Sequence, residues 1–241
     1  MAIVKIFESY DEIVESDGTG KSADKSFEKP GYGKLEEEFR KQNFNLKLIN
    51  LSREKTVPIK LNELYFKQLY LPKIFLQPKF FISVSKAKLH YLTCITGILK
   101  NQFGCLPEKD KIRFHHHIDE VIVDVNSIIK PDLSIVNGRV WMEDIVDGPI
   151  KWLGVLICGR DPVSVDATLA RLVGFNPKKS RHIHLAEQHG IGSMNPVIIR
   201  EKLEKLKTSS RKPNRAKAAF QRYAPKIIQR IAVNFYREIK R

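Results

Sequence analysis

Several features that define whole classes of proteins are scarce or missing in this sequence. It has only three cysteines, Cys94, Cys105 and Cys158, so a disulfide framework is not expected. No Cys-x-x-Cys pair occurs, which argues against a self-contained iron–sulfur cluster or zinc ribbon. No apolar run approaches the length of about eighteen residues that a membrane-spanning helix needs, and residues 1–5 do not begin an apolar signal stretch. These absences predict a protein of the reducing cytoplasm.

Acidic residues are also in the minority. The chain has 27 Asp and Glu against 42 Lys and Arg, which gives a formal net charge of +15 at pH 7. Such an excess favours anionic partners, namely nucleotides, phosphorylated substrates, nucleic acid or an acidic membrane surface. Nucleic acid is the least favoured of these, because no recognised module is visible and the basic residues are spread over many segments.

The hydrophobic pattern predicts the fold class. Apolar runs that begin near Phe80, Asp132 and Leu153 are separated by helical patterns, and this alternation is typical of an α/β domain. We therefore expect a doubly wound, Rossmann-like domain over residues 1–207, with a mainly parallel sheet flanked by helices. A polar linker over 208–217 follows this domain.

The carboxyl-terminal segment, 218–241, has apolar residues at helical spacing and a face rich in Lys and Arg. This pattern predicts a basic amphipathic helix. Three roles stay open at this point: docking on the domain, binding a partner, or lying on an acidic membrane surface. If the helix docks, the residues that we expect it to bury are Phe220, Ile227, Ile231 and Phe235.

The most informative stretch is 86–117, which directly follows the apolar run at Phe80. Cationic side chains beyond the carboxyl end of a strand lie where open α/β sheets bind ligands. A helix over 89–103 would place His90, Thr93, Gly97 and Lys100 on one face. That face suits a ligand, but a half-exposed helix with an incidental histidine has the same spacing, and both interpretations stay open.

Three blocks of the sequence resemble a known family. The first block, from residue 86, is K-A-K-L-H-x5-T-G-x-L-K-N-x-F-G-C; the others cover residues 126–138 and 153–167. Together they are similar to an uncharacterised family called domain of unknown function 362, over roughly residues 80–192. Many members carry a ferredoxin-like, cysteine-rich segment that this chain lacks, so the resemblance implies an iron–sulfur partner.

A second resemblance concerns the amino-terminal domain of lactate racemase-like enzymes. In those enzymes a histidine precedes a cofactor-bearing lysine by ten residues, and a metal-liganding histidine follows that lysine by sixteen. His90, Lys100 and His116 are similar in spacing, and Gly97 matches a glycine before the lysine. The resemblance implies a nickel-pincer nucleotide or another phosphorylated cofactor. The chain departs from the pattern at Thr96-Gly97-Ile98-Leu99, where the enzymes have a run of glycines.

Two further groups of carboxylates could contribute to a site. Glu143, Asp144 and Asp147 follow a predicted strand and form either a ligand-binding loop or a solvated one. Asp161 and Asp166 stand at the start of a predicted helix, where a cap and the helix dipole explain them, but a functional role stays open.

The pattern and the resemblances together single out a set of candidate site residues. The catalytic candidates are His90, Lys100 and Asp166; the cofactor-binding candidates are Lys86, Lys88, Thr96, Gly97, Asn101 and Asp161; and the metal-ligand candidates are His115 and His116.

Three functions are compatible with this sequence. The first is an anion-binding protein, with racemase-like or redox chemistry on a small organic acid. The second is a non-catalytic binding or electron-transfer partner of an iron–sulfur protein, and the third is nucleic-acid binding. Whether the protein is an enzyme stays open.

Overall fold

A computed structural model describes most of the chain and shows helices combined with sheets, which confirms the α/β class. The described residues are 10–16, 22–28, 31–61, 64–77, 80–143, 148–199 and 202–224. The chain divides into two compact units, and the predicted domain 1–207 contains the whole of the first and part of the second. The first unit is Met1–Ile59, Tyr70–Gln77 and Gly104–Lys111, and the second is Lys60–Leu69, Pro78–Phe103 and Ile112–Arg241.

The first unit contains a small β-α-β arrangement. Its two strands pair in parallel, and the helices that connect them pack on the second strand. Phe39 is buried and its ring meets that of Phe44 edge-on, with centroids 5.1 Å apart. The elements are β1 (Tyr10–Glu15), α1 (Ala23–Glu28), α2 (Tyr32–Lys41) and β2 (Asn45–Asn50). Two further strands, β3 (Thr56–Lys60) and β4 (Gln68–Pro72), form a separate two-stranded sheet.

The second unit is built on a four-stranded sheet with the order β6-β5-β7-β8. The strands are β5 (Ile82–His90), β6 (Cys94–Thr96), β7 (Leu133–Met142) and β8 (Ile150–Gly159). The described helices of this unit are α3 (Ile98–Gln102), α4 (Ile118–Ile128), α5 (Pro162–Leu172), α6 (Arg181–Gln188), α7 (Leu203–Leu206) and α8 (Arg215–Tyr223).

The three apolar runs do share one sheet, as predicted, but the sheet is mixed. β5 and β7 are parallel, whereas β7 and β8 are antiparallel, and so are β5 and β6. The connection 143–149 explains the direction of β8, because a parallel return needs a crossover of about a dozen residues or more.

Helices cover one face of this sheet. Ser83, Ser134 and Gly159 are paired across the strands and share a face. Asn101 of α3 donates to Ser83, and Val165 of α5 lies against Gly159, so both helices pack on that face. A doubly wound sheet would carry helices on both faces, but the described residues leave the other one open. Exposed side chains there are Val84 (50%), Trp152 (68%) and Leu156 (65%).

The predicted helix over 89–103 is wrong, because β5 continues to His90 and a tight hairpin follows it. Leu89 pairs with Ile95, and His90 pairs with Cys94. Cys94 has a φ of 65°, a left-handed conformation that reverses the chain without a glycine. The β-branched residues Thr93, Ile95 and Thr96 favour extended backbone, and only the residues from Ile98 onward form a helix.

The expected burial of Phe220 is also wrong. The segment is helical as α8, but Phe220 is 41% exposed. The sequence of α8 up to Tyr223, R-A-K-A-A-F-Q-R-Y, has few large apolar residues, so it does not present a continuous apolar stripe. The expected burial of Ile227, Ile231 and Phe235 lies outside the described residues.

Candidate functional site

His90 ends β5 and is the centre of the candidate site. Its side chain is buried, with 8% exposed, and its ring stacks on that of Tyr91 with centroids 5.1 Å apart. The backbone N–H of Leu92 donates to His90 Nδ1 at 3.2 Å. Because Nδ1 accepts this bond, the neutral ring carries its proton on Nε2. His90 therefore offers an N–H donor to a ligand.

The electrostatic surroundings of His90 are cationic. Burial lowers the pKa of His90 well below its ordinary value, and the positive charge of Lys100, the charge of His115 when it is protonated and the positive charge of Lys88 lower it further. A carboxylate or phosphate in this position would relieve that positive potential. The imidazole is therefore neutral at pH 7, and the charges around it favour an anion.

A second buried histidine lies on α6. His182 is fully buried, and burial, followed by the charge of Lys100, lowers its pKa to about 3. Its Nδ1 lies 3.8 Å from Asp119 Oδ1, which is longer than a hydrogen bond. Within the described part of the chain, neither ring nitrogen of His182 has a hydrogen-bond partner. Because buried polar atoms are normally paired, His182 is a candidate ligand-binding group.

Asp119 connects this cluster to the carboxyl-terminal segment. It is buried in the first turn of α4, and Arg222 of α8 reaches its Oδ2 at 2.7 Å. Burial raises the pKa of Asp119, and the guanidinium of Arg222 opposes that rise. If α8 moved away from α4, Asp119 would lose Arg222 and remain as an uncompensated buried charge. The ion pair therefore holds α8 against α4.

Cys94 lies in the same neighbourhood but is not an activated nucleophile. Burial raises the pKa of its thiol, and the neighbouring Ser180 opposes that rise only in part. A thiol with a raised pKa is protonated at pH 7, whereas catalytic cysteines have a lowered pKa. We therefore assign Cys94 a structural role in the hairpin that positions His90.

Other predicted ligand-binding residues are placed less centrally. Lys86 is exposed on β5, while Lys88, two residues further along the same face, is half-buried. Asn101 donates from Nδ2 to Ser83 Oγ at 3.2 Å and to the Val84 carbonyl at 3.4 Å. Thr96 is buried, and its hydroxyl has no hydrogen-bond partner among the described residues.

Asp166 and Gly97 form a structural contact. Asp166 is fully buried, and its two oxygens accept the backbone N–H groups of Ile98 (2.6 Å) and Leu99 (3.0 Å). Gly97 precedes this turn, and a Cβ atom there would lie 2.1 Å from Asp166 Oδ1. The contact therefore needs glycine at 97 and positions α3, which carries Lys100.

The burial of Asp166 leads to a pH prediction. Burial raises the pKa of Asp166 from an ordinary value near 3.8 to about 7, although the two N–H bonds oppose the shift. The folded state then keeps a proton that the unfolded chain loses, so stability falls as pH rises from about 4 to about 7. We expect the free energy of unfolding of the wild type to fall by about 2 kcal/mol from pH 5 to pH 7, relative to Asp166→Asn.

Urea denaturation of both proteins across that pH range measures this difference. Since both share every other titrating group, their difference isolates Asp166. Parallel curves for the two proteins would show that Asp166 does not titrate in this way.

Asp161 has a comparable structural role at the start of α5. Its Oδ1 accepts the backbone N–H groups of Val163 (2.8 Å) and Ser164 (3.0 Å). Its Oδ2 accepts the N–H of Ser193 at 2.7 Å, so one carboxylate joins the helix to a later loop. A Cβ atom at Gly192 would lie 2.0 Å from Asp161 Oδ1. As in Asp166, both carboxylate oxygens already accept hydrogen bonds from backbone N–H groups of the protein.

The predicted metal ligands lie at the end of a 3-10 helix, Lys111–His117. His116 Nδ1 lies 3.2 Å from the Arg222 carbonyl oxygen, and its ring packs edge-on against Tyr223. His115 lies near enough to His90 that its charge, when it is protonated, lowers the pKa of His90. Within the described ranges, no group of three His, Cys, Asp or Glu side chains could hold a metal ion. The metal role of His115 and His116 and the nickel-pincer cofactor stay predictions.

The predicted carboxylate loop is only partly described, since Asp144 and Asp147 lie outside the described residues. Glu143 is buried and pairs with Lys151 at 2.8 Å and with Arg211 Nε at 3.4 Å. Arg211 also donates its backbone N–H to Glu143. Glu143 therefore anchors the segment after α7 to the end of β7.

Sequence analysis did not find several members of this cluster, namely Cys94, Asp119, Ser180, His182 and Arg222. They come from separate elements, and none stands at a spacing that marks it in the sequence. The only signal was indirect, because Asp119 stands two residues after the last of the three histidines.

Comparison with known proteins gives a family but no established activity. The chain is 28% identical over 123 residues to the thylakoid-associated protein sll1697 of Synechocystis sp., a match that covers 46% of this chain and 38% of that protein. The chain thus spans about two fifths of the length of that relative. No solved structure matches the chain. In the described part of the chain, no helix has the length and apolar character needed to cross a membrane. A family model matches residues 2–171, which is most of the chain, so the protein belongs to the family described as a domain of unknown function (DUF362).

Proposed function

We propose that this protein binds a small organic anion, a carboxylate or a phosphate ester, at the carboxyl end of β5. The observation that carries the proposal is the environment of His90, where a neutral, buried N–H donor lies in the positive potential of Lys100 and Lys88. Charge-assisted hydrogen bonds are strongest where both partners are shielded from water.

The role of His90 in this proposal is that of a hydrogen-bond donor. Its Nδ1 is occupied by the Leu92 N–H, and its Nε2 carries the proton, so the ring has no open acceptor at neutral pH. A general base would need an unprotonated, accessible nitrogen. Binding or polarisation of a ligand oxygen fits this geometry better than proton abstraction by His90.

Lys100 is positioned to contribute the principal charge. It lies on α3, with its Nζ 4.3 Å from the centroid of the Phe103 ring. Its charge is the largest electrostatic influence on both His90 and His182. The helix that presents it is fixed by Asp166, which sets the direction of the first turn.

Two expectations about partners, a ferredoxin-like protein and a membrane surface, stay predictions.

We expect Lys100→Met to weaken the binding of small anions at least about tenfold, because it removes a charge-assisted contact and keeps the aliphatic stem. Isothermal titration calorimetry with acetate, lactate, malate and inorganic phosphate measures the effect. Lys86→Met is the matched control, since it removes the same charge from the exposed part of β5. We expect its affinities to stay within about twofold of the wild type.

Two results would contradict the proposal. The first is that none of these anions binds the wild type; the second is that Lys86→Met and Lys100→Met lose affinity equally. A nitrogen-15 NMR spectrum of the histidine rings provides an independent check, because an anion on Nε2–H should shift that resonance of His90.

A further inference from the structure

A groove outside the His90 site is lined by three cationic side chains. Its volume is about 420 Å³, which is in the range of small-molecule sites. It lies between the end of α5, the loop after it and the segment after α7. Its lining includes Arg171, Lys178 and Lys207, together with the ring of Phe175. None of these four residues belongs to the proposed anion site at β5.

Among the described residues, no ion pair neutralises the two lysines of this groove. Glu187 is the one acidic residue of the lining, and its Oε1 already accepts the backbone N–H of Met194 at 2.6 Å. Neither Lys178 nor Lys207 has an ion pair or side-chain hydrogen bond with the described residues. The lining thus has a net charge of +2, from three cations and one carboxylate.

The side chain of Arg171 is oriented by one hydrogen bond and has further N–H donors. Its Nη1 donates to the Met194 carbonyl at 2.8 Å, and this is the hydrogen bond that the described structure gives to its side chain. A guanidinium has five N–H donors in a rigid plane, which matches the oxygens of a phosphate. The bond to Met194 therefore orients Arg171 and leaves donors available to a ligand.

Cations near the end of a helix often serve its last carbonyl groups, but this explanation does not hold for α5. The carbonyls of Leu169, Ala170 and Arg171 accept N–H groups from Val173, Phe175 and Gly174. Those of Leu172 and Val173 accept N–H groups from Thr208 (2.8 Å) and Ser210 (3.1 Å). With its carbonyls paired, the helix end does not require the three cations.

We propose that this groove binds a small phosphate ester with a planar ring, of about the size of a mononucleotide. Arg171, Lys178 and Lys207 bind the phosphate, which needs several cationic donors around one anion. The ring packs on Phe175, since an aromatic side chain gives a nucleobase a sequence-independent stacking surface. The proposal is independent of the anion site at His90.

Adenosine monophosphate is the probe, and inorganic phosphate and adenosine separate the contributions of its two parts. We expect adenosine monophosphate to bind, phosphate to compete with it, and adenosine alone not to bind measurably. Lys178→Gln/Lys207→Gln should weaken binding of adenosine monophosphate at least about tenfold, as expected for the loss of two charge-assisted contacts. Calorimetry at constant ionic strength measures each affinity.

The matched control is Lys202→Gln/Lys205→Gln, which removes the same charge from two exposed lysines beside the groove. Its affinity should stay within about twofold of the wild type, because general attraction to a basic protein is screened by salt. Equal losses in the two double variants, or no binding of adenosine monophosphate to the wild type, would overturn the proposal. Lys100→Met removes the principal charge of the His90 site, so the adenosine monophosphate that this variant still binds belongs to the groove, and the two sites can fail separately.

Discussion

Replacing Asp124 with alanine is expected to lower the free energy of unfolding by about 3–6 kcal/mol, one of the two largest effects of a single substitution that we predict. Asp124 lies on α4 and is fully buried. Its carboxylate accepts the backbone N–H groups of Leu64 (3.0 Å), Tyr65 (2.9 Å) and Phe66 (2.8 Å). Alanine would remove three partly buried hydrogen bonds to a charged group, and each such bond contributes about 1–2 kcal/mol.

Chemical denaturation followed by circular dichroism measures this effect. Asp132→Ala is the control, because Asp132 is exposed and accepts one backbone N–H, from Phe81 at 2.8 Å. We expect the control to cost about 1 kcal/mol or less. Asp124→Asn keeps one acceptor oxygen and should fall between the two. Equal stability of Asp124→Ala and Asp132→Ala would show that Asp124 does not hold the 64–66 turn.

The second large effect is expected for Gly97→Ala. The added methyl group would lie 2.1 Å from Asp166 Oδ1 and 2.7 Å from its Cγ. Asp166 is a short, buried side chain held by two hydrogen bonds, so it cannot move aside without losing them. We expect a loss of about 2–4 kcal/mol in the free energy of unfolding, somewhat more than is typical of overpacking, since the clash involves a polar contact.

A double-mutant cycle tests the cause of this loss. Asp166→Ala removes the group that the new methyl meets, so Gly97→Ala should cost less in that background than in the wild type. Gly33→Ala is the control, because a Cβ atom at Gly33 meets nothing within 4 Å and alanine favours the helix α2. Additive losses for Gly97→Ala and Asp166→Ala would contradict the explanation.

The sequence predicted the parts of the fold that depend on local pattern. The apolar runs predicted three of the four strands of the larger sheet, β5, β7 and β8, and the pair Asp161-Pro162 marked the start of α5. Strand direction was harder, because the pattern of β8 is the same in either direction. The antiparallel direction of β8 follows from the short connection 143–149. The apolar pattern of a strand carries no information about the length of the connection before it.

The hairpin after β5 shows why local pattern was not enough for the site. The spacing of His90 and Lys100 fits a helix, but Cys94 adopts a left-handed backbone that its residue type does not announce. A helix over 89–103 would separate His90 and Lys100 by about 15 Å along its axis, whereas the hairpin turns the chain between them, and the charge of Lys100 lowers the pKa of His90. Asp119 and His182 join the cluster through tertiary packing, and a single sequence contains no record of such contacts.

The two glycine–aspartate contacts also have a consequence for how this family can change in evolution. An aspartate at 166 leaves no room for a side chain at 97, and Asp161 restricts position 192 in the same way. A lineage can accept a larger residue at 97 only after, or together with, loss of the carboxylate at 166. Natural selection therefore acts on each pair as a unit, and the two positions are expected to covary although they lie far apart in the chain.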